Sequence, residues 1–251
     1  MRRIALLIAV GLLATAATAW AVTNTVSYTV TLKKAAGKPS PKTPVNVGYN
    51  AVLHIDTDPA GNQPDTAPIT SIYFPKQIKQ NAKLVPSCTQ EDIDGQQTAP
   101  AKCSKAKVGT GFASALAGSA GSPAANSVKE DLDVTFYNGK GGKQVLLVLN
   151  SQPSAPVAIT NRVVPGDLAS GGGAFGYRVD FKIPEDLQNQ LGLAIALTDF
   201  KVAITNKPFK LKNGKKVGYL QLTGCPGGKL PIKAIAHFAT GDVTNESTAK
   251  C

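Results

Sequence analysis

The chain predicts an all-β fold, an antiparallel β-sandwich of about ten or eleven strands with one short helix near 184–191. Three observations carry this. Many short segments alternate apolar and polar residues with period two, the signature of a strand with one buried face. Glycine- and asparagine-rich turns punctuate them, and a single segment has helical signals.

In chain order, "MRRIALLIAVGLLATAATAWA" has the parts of an export signal: Arg2 and Arg3, an apolar run from Ile4 to Leu13, then small residues. Residues 1–21 are therefore expected to be a cleaved signal peptide, the rival being a retained membrane anchor. The remainder, 22–251, is expected to be one β-sandwich domain. In "VSYTVTLK", Val26, Tyr28, Val30 and Leu32 form the apolar set, and "KPSPKTP" (38–44) is a proline-stiffened connection. Further strands are expected at 45–55, 69–74, 107–116, 131–138, 143–150, 156–163, 177–183, 193–205, 217–223 and 231–239. The stretch "GFASALAGSAGSPAANS" (111–127) starts as a strand and degrades into small residues, giving a loop or a subdomain seam near 117–127. In "YNGKGGK" (137–143) and "KNGKK" (212–216), Asn-Gly suits the left-handed conformation of a type I′ hairpin turn. "PEDLQNQLG" (184–192) has proline and acidic residues at a helix start and glycine at its stop.

Four cysteines follow the signal. An even count in an exported chain predicts disulfides, and local loop closure favours Cys88–Cys103 and Cys225–Cys251, each stabilising by about 3 kcal/mol in the chain-entropy picture. A metal site is the rival, but neither pair has C-x-x-C spacing.

Charge narrows the partners. Without Arg2 and Arg3 the chain carries 25 cations against 16 anions, or +9, and only Arg162 and Arg178 are arginines. Lysine is a hydrated point charge without the bidentate fork, and no aromatic residues are interleaved for base stacking. Nucleic acid is not expected as a partner; anionic cell-envelope polymers are, along with solubility.

Enzyme motifs are incomplete. "TGCPGGKL" has Thr223 where a P-loop needs its first glycine and Leu230 where it needs a hydroxyl. "GTGFAS" (109–114) lacks the third glycine of a dinucleotide loop, "SGGGAFG" (170–176) reads as a flexible turn, and no G-x-S-x-G occurs. Asp56, Asp58 and Asp65 form a weak calcium candidate, because Ala67 stands where a bidentate glutamate belongs. The acidic clusters Glu91/Asp92/Asp94 and Glu130/Asp131/Asp133 read as solvated charge, and the lone Trp20 provides no sugar platform. His54 and His237 could each act as a general base with Asp56 or Asp242. No catalytic, cofactor-binding or firm metal residue is expected.

Three stretches, "CSKAKVGTG" (103–111), "YNGKGGKQVLLVL" (137–149) and "GYLQLTGCPGGKLPIKAIAHFATG" (218–241), resemble uncharacterised secreted proteins of high-GC Gram-positive bacteria. The resemblance implies a disulfide-containing, β-rich exported protein and carries no catalytic residue. The expected function is that of a secreted or envelope-associated, non-enzymatic protein acting through its surface. The alternatives are a secreted hydrolase whose site is scattered in sequence, or a binding module for anionic envelope polymers or apolar ligands.

Overall fold

The structure is a computed structural model and describes residues 22–98, 100–211 and 213–251, so the expected export signal lies outside it. Strands dominate: β1 (Thr23–Lys34), β2 (Val45–Asp58), β3 (Ile69–Pro75), β4 (Ile78–Gln80), β5 (Lys107–Gly118), β6 (Val128–Asn138), β7 (Gln144–Ser151) and β8 (Arg162–Ser170). They continue with β9 (Phe175–Lys182), β10 (Asn189–Gln190), β11 (Leu193–Ile204), β12 (Phe209–Lys210), β13 (Lys216–Val217), β14 (Leu220–Leu222), β15 (Lys229–Phe238) and β16 (Gly241–Lys250). A one-turn helix, α1, spans Ala101–Ser104.

The all-β expectation holds, but the layering differs. Fourteen strands share one antiparallel sheet, and β12 and β13 make a separate two-stranded one. Reading around the large sheet, the order is β16-β15-β3-β9-β8-β7-β6-β5-β11-β2, with β1 on β2 along its whole length. The sheet curls until its two edges, β1 and β16, lie against each other. The Ser247 hydroxyl donates to the Tyr28 carbonyl across that seam at 3.3 Å. A twisted sheet of this many strands cannot stay open and flat, and curling lets one face become a shared interior.

Glycines and bulges make the curl. The register shifts at Lys107/Gly109, Leu197/Asp199 and Phe74/Pro75, and such bulges bend a strand and increase its twist. At Gly111 a Cβ would collide with the Lys201 carbonyl oxygen, and at Gly166 with the ring of Phe181. Backbone and ring approach there because no side chain intervenes.

Alternation then sorts the faces. Val47, Tyr49, Leu53 and Ile55 of β2, Val134 and Phe136 of β6, Val179 and Phe181 of β9, and Leu230 and Ile232 of β15 are buried in the interior cluster. The run Val145–Leu149 of β7 is buried on both faces. Val145, Leu147 and Leu149 point in, while Leu146 and Val148 pack outside with Ile93, Val163, Cys88 and Cys103. A continuous apolar run reads as a strand covered on both sides, and here the cover is the lobe formed by residues 81–106. The cysteines pair as Cys88–Cys103 and Cys225–Cys251, with Cα–Cα separations of 5.2 and 5.9 Å.

Several local expectations are corrected. The helix near 184–191 is a single 3₁₀ turn, Glu185–Leu187, followed by a hairpin in which Gln190 pairs with Leu193. Leu191 and Gly192 at its tip both take positive φ (53° and 82°), which breaks any helix. The strand expected at 156–163 starts only at Arg162. The alanine-rich run remains strand through Gly118, and the loop follows it. In "YNGKGGK" the positive φ values belong to Gly141 and Gly142, not to Asn138. Asn138 is fully buried instead, donating to the carbonyls of Ala82 and Pro86 at 2.8 and 3.0 Å.

Candidate functional site

The curled sheet encloses an apolar lumen. Its larger chamber, about 130 Å³, is lined by Ala113, Ala115 and Ala117 of β5, Leu132 of β6, Leu147 and Leu149 of β7, Phe181 of β9, and Leu197 and Phe200 of β11. A smaller chamber of about 60 Å³ lies deeper, among Tyr28, Tyr49, Phe74, Tyr177 and Tyr219. Leu53, Ile72, Phe181 and Phe200 line both chambers and form the partition between them.

The sequence makes this space through side-chain volume. On β5 the chamber-lining positions 113, 115 and 117 are all alanine, while the facing strands supply leucine, valine and phenylalanine. Elsewhere a bulky inward residue meets another and fills the interior; along β5 nothing projects far enough. Dry apolar space of about 150 Å³ is enough to hold a benzene-sized molecule.

One end of the lumen reaches the surface. Val128 and Val157 belong to its lining and are 45% and 37% exposed. Glu130, inward-facing on β6 and only 7% exposed, holds this rim. Ser151 Oγ donates to its Oε1 at 2.8 Å and the Val157 N–H to its Oε2 at 3.3 Å, fastening the 151–157 loop beside the opening. On the other side Thr66 Oγ1 donates to the Ile195 carbonyl at 2.7 Å, and buried Gln63 donates to the Ala194 carbonyl at 2.9 Å. The hairpin of β10 and β11 stands at this rim with Leu191 fully exposed and Leu193 40% exposed at its tip.

The deep chamber carries the polar contrast. Tyr28 and Tyr49 share a hydroxyl–hydroxyl hydrogen bond, and Gln80 Nε2 donates to the Tyr219 hydroxyl at 2.6 Å. The Tyr177 hydroxyl is buried with no hydrogen-bond partner among the described residues, although an edge of the residue is partly exposed. Burial raises the pKa of all four phenols well above the usual tyrosine value, so they stand as neutral hydroxyls.

Of the residues singled out in the sequence, the histidines come nearest to chemistry. His237 Nδ1 lies 2.8 Å from Asp242 Oδ1, and its Nε2 lies 3.1 Å from Ser71 Oγ, the layout of an acyl-transfer triad. The proton count opposes that use. Ser71 Oγ also lies 2.7 Å from Asp180 Oδ1, a carboxylate clamped by Arg178 at 2.9 Å. An ionised carboxylate only accepts, so the single serine proton goes to Asp180 and is not shared with the imidazole. Ser71 is 3% exposed on the outer wall, away from the lumen lining. His54 is exposed on β2, 3.1 Å from Asp199 and 3.8 Å from Asp56.

The remaining acidic candidates disperse into structural roles. Asp56 accepts the Thr57 N–H at 2.8 Å, and Asp65 accepts from Asn24 Nδ2 at 2.8 Å and Thr240 Oγ1 at 3.3 Å. Asp58 does not join them in a metal-sized group. Among the described residues, the one convergence of metal-type ligands is Cys88, Cys103 and Asp92, and its two sulfurs are bonded to each other. Burial works against ionisation of Asp94, yet the Val163 N–H and the Arg162 guanidinium prevail and hold its carboxyl below the usual range. Asp131 accepts from the hydroxyl of Ser114 and from Lys129, and its pKa is lowered accordingly. Among the described residues, no helix is long and apolar enough to cross a membrane.

The lumen itself was missed in the sequence. The signal was present as period-two placement of the smallest residues along one strand, next to strands of large ones. The chain matches no family model, no curated protein and no solved structure.

Proposed function

We propose that this is an exported, non-enzymatic binding protein that holds an apolar small molecule inside its curled sheet. The carrying observation is the two-chambered apolar lumen with an opening at Val128 and Val157. Binding sites of this kind are concave, mostly apolar and supplied with a few placed polar groups. The unpartnered Tyr177 hydroxyl is such a group, so the favoured ligand is an aliphatic or alicyclic molecule with one neutral oxygen function at its leading end. The two disulfides and the lysine-rich composition suit residence outside the cell or in the envelope.

The hydrolase reading draws on Ser71, His237 and Asp242, and the commitment of the serine proton to Asp180 argues against it. Fluorescence titration with N-phenyl-1-naphthylamine tests the binding reading. The wild-type chain should bind saturably, and Ala115→Phe, which places a ring in the large chamber, should weaken binding about tenfold or more while keeping a native circular-dichroism spectrum. Equal binding by both proteins would move the site elsewhere, and failure of the dye and of medium-chain alcohols to bind would remove the proposal.

A further inference from the structure

Charge is segregated along the barrel axis. The end carrying the lumen opening has the acidic residues Asp56, Asp58, Asp65, Glu185, Asp186 and Asp242 on or beside its loops. The opposite end is built from the connections 34–45, 138–144 and 204–229 and from the two ends of 75–107, whose middle reaches along the outer face to residues 161–163, and it gathers nearly all the described lysines. Only Lys129, Lys182, Lys201 and Lys233 stand away from it. The acids beside the lysine-rich end are Glu91, Asp92 and, opposite Gln144, Asp167, whereas Asp94 sits on the same Arg162 guanidinium as Asp186 of the other end. Asp92 is paired to Lys102 at 2.6 Å and Asp167 lies 3.5 Å from Lys182, so they scarcely offset the field.

The lysine-rich end also has a groove, about 450 Å³, between the β12–β13 hairpin, the start of β2 and the segment around β4. Lys79, Lys215 and Lys216 line it, all three exposed and none within ion-pair distance of a described carboxylate. Its floor is apolar at 35–36 and 44–45. An amide lattice fixes its shape: Asn46 Oδ1 accepts from the Gly218 N–H at 2.9 Å and from Gln221 Nε2 at 3.0 Å. Asn81 Nδ2 donates to the Gly218 carbonyl and to Gln221 Oε1, both at 2.9 Å.

We propose that this groove binds a linear, non-aromatic polymer of phosphate repeats, held at the end of the molecule remote from the lumen opening. The three lysines supply point charges that tolerate sliding phosphates, and the surrounding lysine field concentrates a polyanion on this end. The apolar floor suits the aliphatic links between charges. No aromatic side chain lines the groove for base stacking, which disfavours single-stranded nucleic acid. A concave channel also admits a chain where it would not admit a flat bilayer. The inference rests on charge and shape and is independent of what the lumen holds.

The test uses the mature chain and fluorescently labelled long-chain inorganic polyphosphate, titrated at several sodium chloride concentrations. Binding should saturate and weaken steeply with salt. The triple variant K79Q/K215Q/K216Q should lose about tenfold in affinity and flatten the salt slope by about two to three. The control triple K129Q/K182Q/K201Q, equal in charge change, should lose less than about twofold. In parallel, lysine acetylation of the wild-type chain should show Lys79, Lys215 and Lys216 protected by polyphosphate, a reading that needs no variant to fold. Equal loss in the control, absence of protection at these lysines, or equally tight binding of anionic phospholipid vesicles or of oligo-dT would each overturn the proposal.

Discussion

Tyr177 carries opposite expectations for the empty and the loaded protein. Its hydroxyl is buried without a partner among the described residues, a condition that costs about 1–3 kcal/mol, so Tyr177→Phe should raise the urea midpoint of the ligand-free chain. The same substitution should weaken a medium-chain alcohol more than an alkane of equal length, measured by titration calorimetry. Leu191 is a second residue set against local preference, a leucine at φ 53° with its side chain in water. Asparagine tolerates that conformation, so Leu191→Asn should leave the fold intact and stabilise it by roughly 1 kcal/mol in thermal unfolding. Neither residue announces itself in the sequence: Tyr177 looks like any inward tyrosine of an alternating strand, and Leu191 fits the apolar spacing of the helix it does not form.

Among the elements, the strands with one wet face were legible because alternation is a property of each strand alone. In β1 the apolar set named from the sequence faces the interior or packs against it, and β6 and β9 lie where strands are expected at 131–138 and 177–183. What alternation cannot reveal is how much space the inward residues leave, since that depends on which strands face one another around the curl. The inward alanines of β5 look like a fading strand in one dimension and become a cavity wall in three. β16 escaped notice for a related reason: "GDVTNESTAK" has only Val243 and Ala249 as apolar inward residues, enough at a seam but too few to show a period. Asn138 shows how turn chemistry can mislead, because the residue that suits a type I′ turn is used as a buried clamp on 82–86. Replacing it should therefore matter more than a turn residue would: Asn138→Ala should cost about 1–3 kcal/mol by chemical denaturation, with early loss of hydrogen-exchange protection in the 82–88 segment.

The whole molecule is a curled sheet whose interior keeps four tyrosines neutral. Burial is the largest influence on each, and it raises their pKa values above those of the unfolded chain. Above a pH of about 10 the unfolded chain therefore binds fewer protons than the native one. The stabilising contribution is complete below that pH and is lost as pH climbs toward the native pKa values. Spectrophotometric titration at 295 nm should show fewer tyrosinates at pH 11 in the native protein than in urea, with the missing ones appearing only on unfolding; simultaneous titration of all six would contradict the enclosed interior. The disulfide lobe and the sheet share β7, so the outer cover and the lumen wall are two faces of the same strand.

The central claim is that the inside of the curl receives an apolar guest. Methyl-resolved NMR of the mature chain with saturating 1-decanol tests it most directly. The account predicts shifts concentrated in the alanine methyls of 113, 115 and 117 and in Leu132, Leu147 and Leu149, with the outer cluster around Leu146 and Val148 unmoved. Shifts confined to outward-facing methyls, with the alanines of β5 unchanged at saturation, would contradict it.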